Sequence, residues 1–314
     1  MEEIAFGKVA FAYIRGFCFS EVKNEDNMEG MRQDYFGKDL SGLSKKRLFL
    51  FDMDGTIYQE NTVFDGTRDL LEWIRSRNGR YIFITNNSSK SVRDYVEKVQ
   101  NMGLRAEEEN FFTSVQATIR YLKENHDGAR VYCQGTRSMV QELKQAGIRV
   151  TEEVEEGIDV VLVGFDMELT MAKLRNTCEI LTCQDPVYLA TNPDVCCPVS
   201  FGNTAGYVPD CGSMCYGIEK ATGKRPKYIG KPEPTMIDIA REKYGYSAEE
   251  TLVIGDRLYT DIASGVNAGV DTLCVLSGEA TAEDIEKSTV KPTWTLRNVK
   301  EMLTALSGSG APSA

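Results

Sequence analysis

Leu48-Phe49-Leu50-Phe51-Asp52-Met53-Asp54-Gly55-Thr56 sets the terms on which the rest of the chain is read. Four apolar residues in a row, stopped by acid and glycine, fit a short strand buried on both faces. Such a strand belongs to a parallel sheet covered by helices. The two aspartates fall where it ends, and in these sheets ligands gather at the carboxyl ends of strands. Taken alone, Asp52 to Gly55 also fits a plain turn, because Asp and Gly are common turn formers. A calcium-binding EF-hand loop is excluded, since Gly55 comes two residues too early for the glycine that loop requires.

Outward from this run the same alternation continues. The spacing of Leu70, Leu71 and Ile74 predicts a helix over Thr67 to Arg77. A strand over Tyr81 to Ile84 follows, then helices over Ser91 to Met102, closed by Gly103, and Val115 to Asn125. A second series comprises the strand Val131 to Cys133, the helix Ser138 to Ala146, the strand Asp159 to Gly164 and the helix Thr170 to Thr182. It ends with the strand Val187 to Ala190, a loop rich in Pro and Gly, and the helix Ser213 to Thr222. Tyr228-Ile229-Gly230, the helix Thr235 to Tyr244, the strand Leu252 to Ile254, the helix Thr260 to Ala268 and the strand Leu273 to Leu276 return to the first style. The expected fold class is therefore α/β, with a Rossmann-like parallel-sheet core. Residues 1–46 show no strong period and read as a poorly specified extension. Residues 307–314, rich in Ser, Gly, Ala and Pro, read as a flexible tail.

The bulk properties narrow the chemistry. The chain has 314 residues, enough for one large domain or two ordinary ones. Its net charge of −11 gives it no general attraction for nucleic acid or an anionic membrane. An anionic substrate would have to be met by local charge: a metal ion, a lysine or backbone N–H groups. Nine cysteines, an odd number, point to free thiols in a reducing compartment, and the expected location is cytoplasmic. His126 is the only histidine, so zinc sites and Ser-His-Asp triads are poorly supplied. Residues 4–20 are apolar but broken by Lys8 and Arg15, which argues against a membrane span or a signal peptide.

Four strand ends carry polar residues: Asp52-Met53-Asp54-Gly55-Thr56, Thr85-Asn86-Asn87, Gly230-Lys231-Pro232 and Gly255-Asp256-Arg257, with Asp261 close behind. On one parallel sheet all four converge. Several carboxylates at one point repel unless a divalent cation lies among them. Oxygen ligands with room for water suit Mg²⁺ rather than zinc. Asp52 can attack phosphorus and form an aspartyl-phosphate. Asp54, brought round by Gly55, can protonate a leaving oxygen and later activate water. Thr85 and the Asn86 amide can bond phosphoryl oxygens, and Lys231 can set a compact charge against the transferring group. Each motif has a plainer reading by itself: a helix cap at Thr85-Asn86-Asn87 or near Asp256 and Asp261, and a solvated lysine at Lys231.

With these residues in this order, the chain resembles the haloacid dehalogenase-like hydrolases. The resemblance is to the branch of NagD-type sugar phosphatases, 4-nitrophenylphosphatases and pyridoxal phosphate phosphatases. It spans residues 47 to about 300 and rests on Phe51 to Thr56, Thr85 to Asn87, Gly230 to Pro234 and Gly255 to Asp261. It implies that Asp52 is nucleophile and Mg²⁺ ligand, and that Asp54 is acid/base and binds Mg²⁺ through its carbonyl. It further implies that Asp256 and Asp261 serve the metal, and that Thr85, Asn86, Asn87 and Lys231 hold the phosphoryl group. The long insert between the second and third motifs implies a C2-type α/β cap at 128–225, on a catalytic core of 47–127 and 226–306. Ala190 to Asp194 and Pro209 to Ser213 match the branch's cap patterns, and Asn192 and Cys197 are the implied cap contacts to substrate. Cys197 stands where the pyridoxal phosphate phosphatases have a histidine, which leaves the leaving group open.

The expected function is a Mg²⁺-dependent phosphatase, a phosphoric monoester hydrolase, acting on a small phosphorylated metabolite of the sugar phosphate, nucleotide or 4-nitrophenyl phosphate type. Two rivals remain: a phosphotransferase or mutase of the same superfamily, and a non-catalytic phosphate-ligand binding protein. No nucleic acid or membrane partner is expected, and a homodimer is left open.

Overall fold

The computed structural model describes residues 31–202 and 204–308. Its strands in the first half are β1 (Leu48–Phe51), β2 (Tyr58–Gln59), β3 (Thr62–Val63), β4 (Arg80–Thr85), β5 (Phe111–Thr113), β6 (Arg130–Gln134) and β7 (Arg149–Thr151). The remainder are β8 (Val160–Val163), β9 (Val187–Ala190), β10 (Cys196–Phe201), β11 (Thr204–Pro209), β12 (Lys227–Tyr228), β13 (Thr251–Gly255), β14 (Asp271–Val275) and β15 (Trp294–Leu296).

Six strands form one sheet in the order β15-β14-β13-β1-β4-β5, and every pairing in it is parallel. The opening run explains why. Phe49 and Phe51 of β1 point into a cluster with the helices Thr67–Ser76, Val92–Asn101 and Val299–Gly308. Leu48 and Leu50 point into the opposite cluster with the helices Ser114–Asn125 and Thr235–Tyr244. A strand apolar at every position needs cover on both faces, and a parallel sheet gives it that.

A second sheet has the order β12-β9-β8-β6-β7 and is also parallel. Its Val131, Val160, Leu162 and Leu189 join the same apolar cluster as Leu48 and Leu50, so the two sheets share a core. Two antiparallel pairs project from this frame: β2–β3 from the first sheet's side and β10–β11 from the second's.

Three features differ from the sequence reading. The segment Pro193 to Pro209, expected to be a loop, contains the β10–β11 hairpin, which turns at Gly202 (φ +65°). Pro198, Gly206 and Pro209 disguised it; proline and glycine survive in a two-stranded pair with open outer edges. Lys227–Tyr228 pairs with β9, so the third polar strand end belongs to the second sheet and not to the first. The expected extension is also ordered where it is described. Leu40 and Leu43 are buried in the main core, and Asp34 accepts from the Thr295 backbone N–H at 2.9 Å. Residues 1–30 of that extension lie outside the described residues. So do residues 309–314 of the expected tail, while 307 and 308 end the helix Val299–Gly308. No helix among the described residues is long and apolar enough to cross a membrane.

Candidate active site

Asp52 follows the last residue of β1 and stays in line with the sheet, its N–H bonded to the Ile254 carbonyl at 2.7 Å. The chain then turns sharply. Gly55 has φ +84°, and a side chain there would meet the Asp256 carboxylate at 2.5 Å, so the turn needs glycine twice over. β13 delivers Asp256 beside it. After Arg257 the chain forms a short π-turn over Leu258–Ile262, with the Ile262 N–H on the Arg257 carbonyl at 3.1 Å. That wider turn swings Asp261 back toward Asp52, and π-turns of this kind are frequent at functional sites. Asp261 Oδ2 accepts from the Arg257 N–H at 3.0 Å, which fixes its carboxylate.

Asp52, Asp256 and Asp261 bring carboxylate oxygens within 4.8 Å of one another. Lys231 Nζ, buried, donates to Asp52 Oδ1 and Asp261 Oδ1 at 2.6 Å each. The predicted convergence therefore holds for Lys231, although it arrives from the second sheet. Its approach is fixed by Asn86: Asn86 Oδ1 accepts from the Lys231 N–H at 2.8 Å and Asn86 Nδ2 donates to the Lys231 carbonyl at 2.9 Å.

One lysine does not balance three carboxylates. Burial, then the Asp261 charge, push Asp52 well above the usual carboxylate range, against the pull of Lys231. The same two causes, burial first, push Asp256 up to about 7. Burial opposes the charge on Lys231, but Asp261 and Asp52 outweigh it and raise its pKa. Asp256 Oδ2 accepts from the Glu279 N–H at 2.7 Å, whereas its Oδ1 is buried with no hydrogen-bond partner. A buried carboxylate oxygen without a donor, among three converging acids, fits a divalent cation with hard oxygen ligands.

Asp54 lies outside that trio. Its side chain is 48% exposed at the mouth of a cavity of about 410 Å³, a size suited to a small molecule. Desolvation by the surrounding walls raises its pKa, opposed first by Lys98. A protonated Asp54 can therefore donate to an oxygen in the cavity.

The other expected residues fall into two groups. Thr85, Asn86, Asn87 and Cys197 line the cavity with Asp52, Asp54, Lys231 and Asp261. Of these, the Asn86 side chain bonds to the backbone of Lys231 and to Asp194 Oδ1 at 3.2 Å. Asn87 Oδ1 is turned back on the backbone N–H and hydroxyl of Ser89. Asn192 is not at the cavity wall: it is wholly buried, accepting from the Thr191 hydroxyl and donating to Asp210 at 3.1 Å. Cys197 is at the wall, and burial, with Asp210 and Asp54 next, pushes its thiol up to about 12, so it stays protonated. The described cysteines are all free.

Several site residues were not foreseen. A side chain at Gly278 would stand 2.0 Å from Asp256 Oδ2, and Ser277 Oγ donates to the Gly55 carbonyl at 2.7 Å. This loop follows β14, and Ser-Gly-Glu directly after an apolar strand was a signal that could have revealed it. Arg257 lines the cavity, pairs with Glu279 at 3.0 Å and faces Asp194. Lys98 and Glu60, from the helix Val92–Asn101 and the β2–β3 turn, complete the rim. Glu60 accepts from the Ser200 hydroxyl of the β10–β11 hairpin.

Known proteins share this sequence pattern and this fold. Residues 49–149 fit the family description "haloacid dehalogenase-like hydrolase", and residues 228–302 fit a second, related HAD-hydrolase-like description. An acid sugar phosphatase of Staphylococcus aureus is 31% identical over 264 residues, which is 84% of this chain and 99% of that protein. The crystal structure of a 4-nitrophenylphosphatase from Thermotoga maritima superimposes with a TM-score of 0.79 at 37% identity, covering 84% of this chain and 99% of that one. A glycerol phosphate phosphatase from Mycobacterium tuberculosis, in complex with magnesium, gives 0.76 at 29% identity over 83% of this chain and 76% of that one. It has also been solved with calcium.

Proposed function

The chain belongs to the haloacid dehalogenase-like hydrolases and is a phosphoric monoester hydrolase that works with a divalent metal; from the site we infer that the metal is Mg²⁺ and that Asp52 carries the phosphoryl group. The observation that carries this reading is the cluster itself. Three carboxylates converge within 4.8 Å, one lysine bridges two of them, and a fourth carboxyl, Asp54, stands beside them in the cavity.

In this reading an oxygen of Asp52 attacks phosphorus in line with the ester oxygen. The new Asp52–phosphorus bond forms as the ester P–O bond breaks. Asp54 gives its proton to the departing oxygen, which leaves as an alcohol. Asp54, now a carboxylate, takes a proton from water as that water attacks the aspartyl-phosphate. Inorganic phosphate leaves and Asp52 is restored as a carboxylate. Lys231 and the Thr85 hydroxyl face the phosphoryl oxygens. Asp52, Asp256 and the Asp54 carbonyl would hold the metal, with Asp261 supporting its waters. When bound, the cation neutralises charge on the carboxylates and on the phosphoryl oxygens.

The second sheet with its β10–β11 hairpin, residues 128–225 in outline, serves as the cap that shuts water out and meets the leaving group. Cys197, Phe165 and Met167 on the cavity wall support that role. The substrates are small: sugar phosphates, nucleoside monophosphates or aryl phosphates such as 4-nitrophenyl phosphate. The free thiols support a reducing, cytoplasmic setting.

The test is a phosphomonoester panel with Mg²⁺, reading released phosphate. Asp52→Asn should abolish turnover, and wild type quenched in acid should carry an acyl-phosphate that hydroxylamine releases. Full activity in Asp52→Asn, freed of any residual wild type, would end the covalent reading.

A further inference from the structure

Asp54 is held from behind by the turn that carries it, through the Asp54–Tyr58 bridge. In front it faces an unassigned pair. Lys98 Nζ lies 3.9 Å from Asp54 Oδ2 and 4.1 Å from the centre of the Tyr58 ring. Only 20% of the Lys98 side chain is exposed. A lysine on a helix rim ordinarily extends its ammonium into water. This one is drawn inward over an aromatic face, next to the carboxyl.

Its helix fixes it there. Val92–Asn101 starts from a reciprocal cap between Ser91 and Asp94 and buries Val92, Tyr95 and Val99. Lys98 follows Tyr95 by one turn and so reaches the same side of the cavity. Beneath it, Tyr58 is wholly buried, with its hydroxyl beside the Asp54 carboxyl. The other charges around Lys98 are Lys90 and Glu60 at the rim.

The forces on Asp54 then oppose one another. Lys231 lies among Asp52, Asp256 and Asp261, and that cluster fits a divalent cation as well. Such a cation would draw the Asp54 carboxyl inward, away from the cavity where a leaving oxygen sits. On the cavity side Lys98 is the cation within ion-pair range, ahead of Arg257 and Lys90, which act on Asp54 more weakly. We propose that Lys98, stacked on Tyr58, is a positioning residue that keeps the Asp54 carboxyl turned toward the leaving group. This rests on Asp54 being the proton donor.

The experiment compares kcat/KM for phenyl phosphate and 4-nitrophenyl phosphate in the full chain with saturating Mg²⁺. The two esters have the same charge and nearly the same shape. They differ in how much the leaving oxygen needs a proton. General acids contribute about 10²–10⁴-fold, and a misdirected acid forfeits part of that. Lys98→Met should therefore lose about tenfold more on phenyl phosphate than on 4-nitrophenyl phosphate, with Tyr58→Phe shifted less in the same direction and Lys98→Arg recovering most of the gap. Turnover of 4-nitrophenyl phosphate reports that each variant is folded. Equal losses on both esters would overturn the inference, as would a loss confined to 4-carboxyphenyl phosphate, which would make Lys98 a substrate contact. Asp54→Asn separates the two ways of failing. If its own loss ignores the leaving group, the proton-donor reading falls. If it follows the leaving group while Lys98→Met does not, only the positioning role falls.

Discussion

Asp256→Asn should stabilise the metal-free protein at alkaline pH while destroying its activity. The argument starts from a buried acid whose pKa rises from the usual 3.8 to about 7, through burial first and the Asp261 charge second. Folding therefore favours the protonated form. The contribution of Asp256 to stability is fully present below about pH 3.8 and is lost as pH climbs through about 7. Between pH 5 and pH 7 that is two pH units, or about 3 kcal/mol at 1.36 kcal/mol per unit. Asparagine keeps the shape and an acceptor for the Glu279 N–H, and it puts a donor where Oδ1 has no partner. It also removes one of the charges that raise Asp52. In chelator, urea or thermal unfolding should show wild type losing about 3 kcal/mol relative to the variant between pH 5 and pH 8. At roughly 2–4 °C per kcal/mol for a chain near this size, the melting gap should widen by about 6–12 °C. Added Mg²⁺ should raise the wild-type midpoint and leave the variant unmoved, because a ligand stabilises only the form that binds it. A gap that stays constant with pH, or a variant less stable than wild type at pH 8, would refute the electrostatic account of this site.

Three other outcomes follow from the same geometry. Gly278→Ala places a methyl 2.0 Å from Asp256 Oδ2 and should raise the Mg²⁺ concentration for half-maximal activity at least about tenfold, read by metal titration. Lys231→Met leaves Asp52 and Asp261 without their shared cation; kcat should fall by about 10³-fold, and stability in chelator by about 3–5 kcal/mol, read from phosphate release and urea melts. Asn192→Ala strips a partner from buried Asp210 and should cost about 1–3 kcal/mol of stability, with no gain in KM specific to one leaving group, measured by melts and a substrate panel.

What the sequence made legible was set by period and order. Leu48 to Phe51 could only be a strand covered on both sides, and the carboxylates fell at the ends of such strands. What it hid was anything decided by a partner far away. Tyr228-Ile229-Gly230 looked like another strand of the first sheet, because an apolar pair before glycine carries no mark of which sheet accepts it; β9 does. The β10–β11 hairpin was hidden by its prolines, whose cost vanishes on an open edge. Asn192 and Asn86 look alike in sequence as amides near the site. Only packing shows that one is sealed behind Asp210 and the other spans the backbone of Lys231. Residues 31–46 lack period because they lie along the sheet edge at β15 and do not form a face of their own.

The placement of Lys231 gives Asn86 a meaning that its position after a strand did not suggest. Lys231 stands where the chain returns from the second sheet to the first, three residues after Tyr228 of β12. A charge so placed would drift with any movement of that sheet, and a displacement of even an ångström at a reacting centre costs rate. Asn86 prevents this. It is fixed to the first sheet by following β4, and its side chain grips both the N–H and the carbonyl of Lys231. Its amide also reaches Asp194, on the loop that leads into the β10–β11 hairpin. One side chain thus ties Lys231 to the sheet that carries Asp52 and touches the loop that leads into the β10–β11 hairpin. The grip on its backbone sets where the Lys231 ammonium meets Asp52, at 2.6 Å.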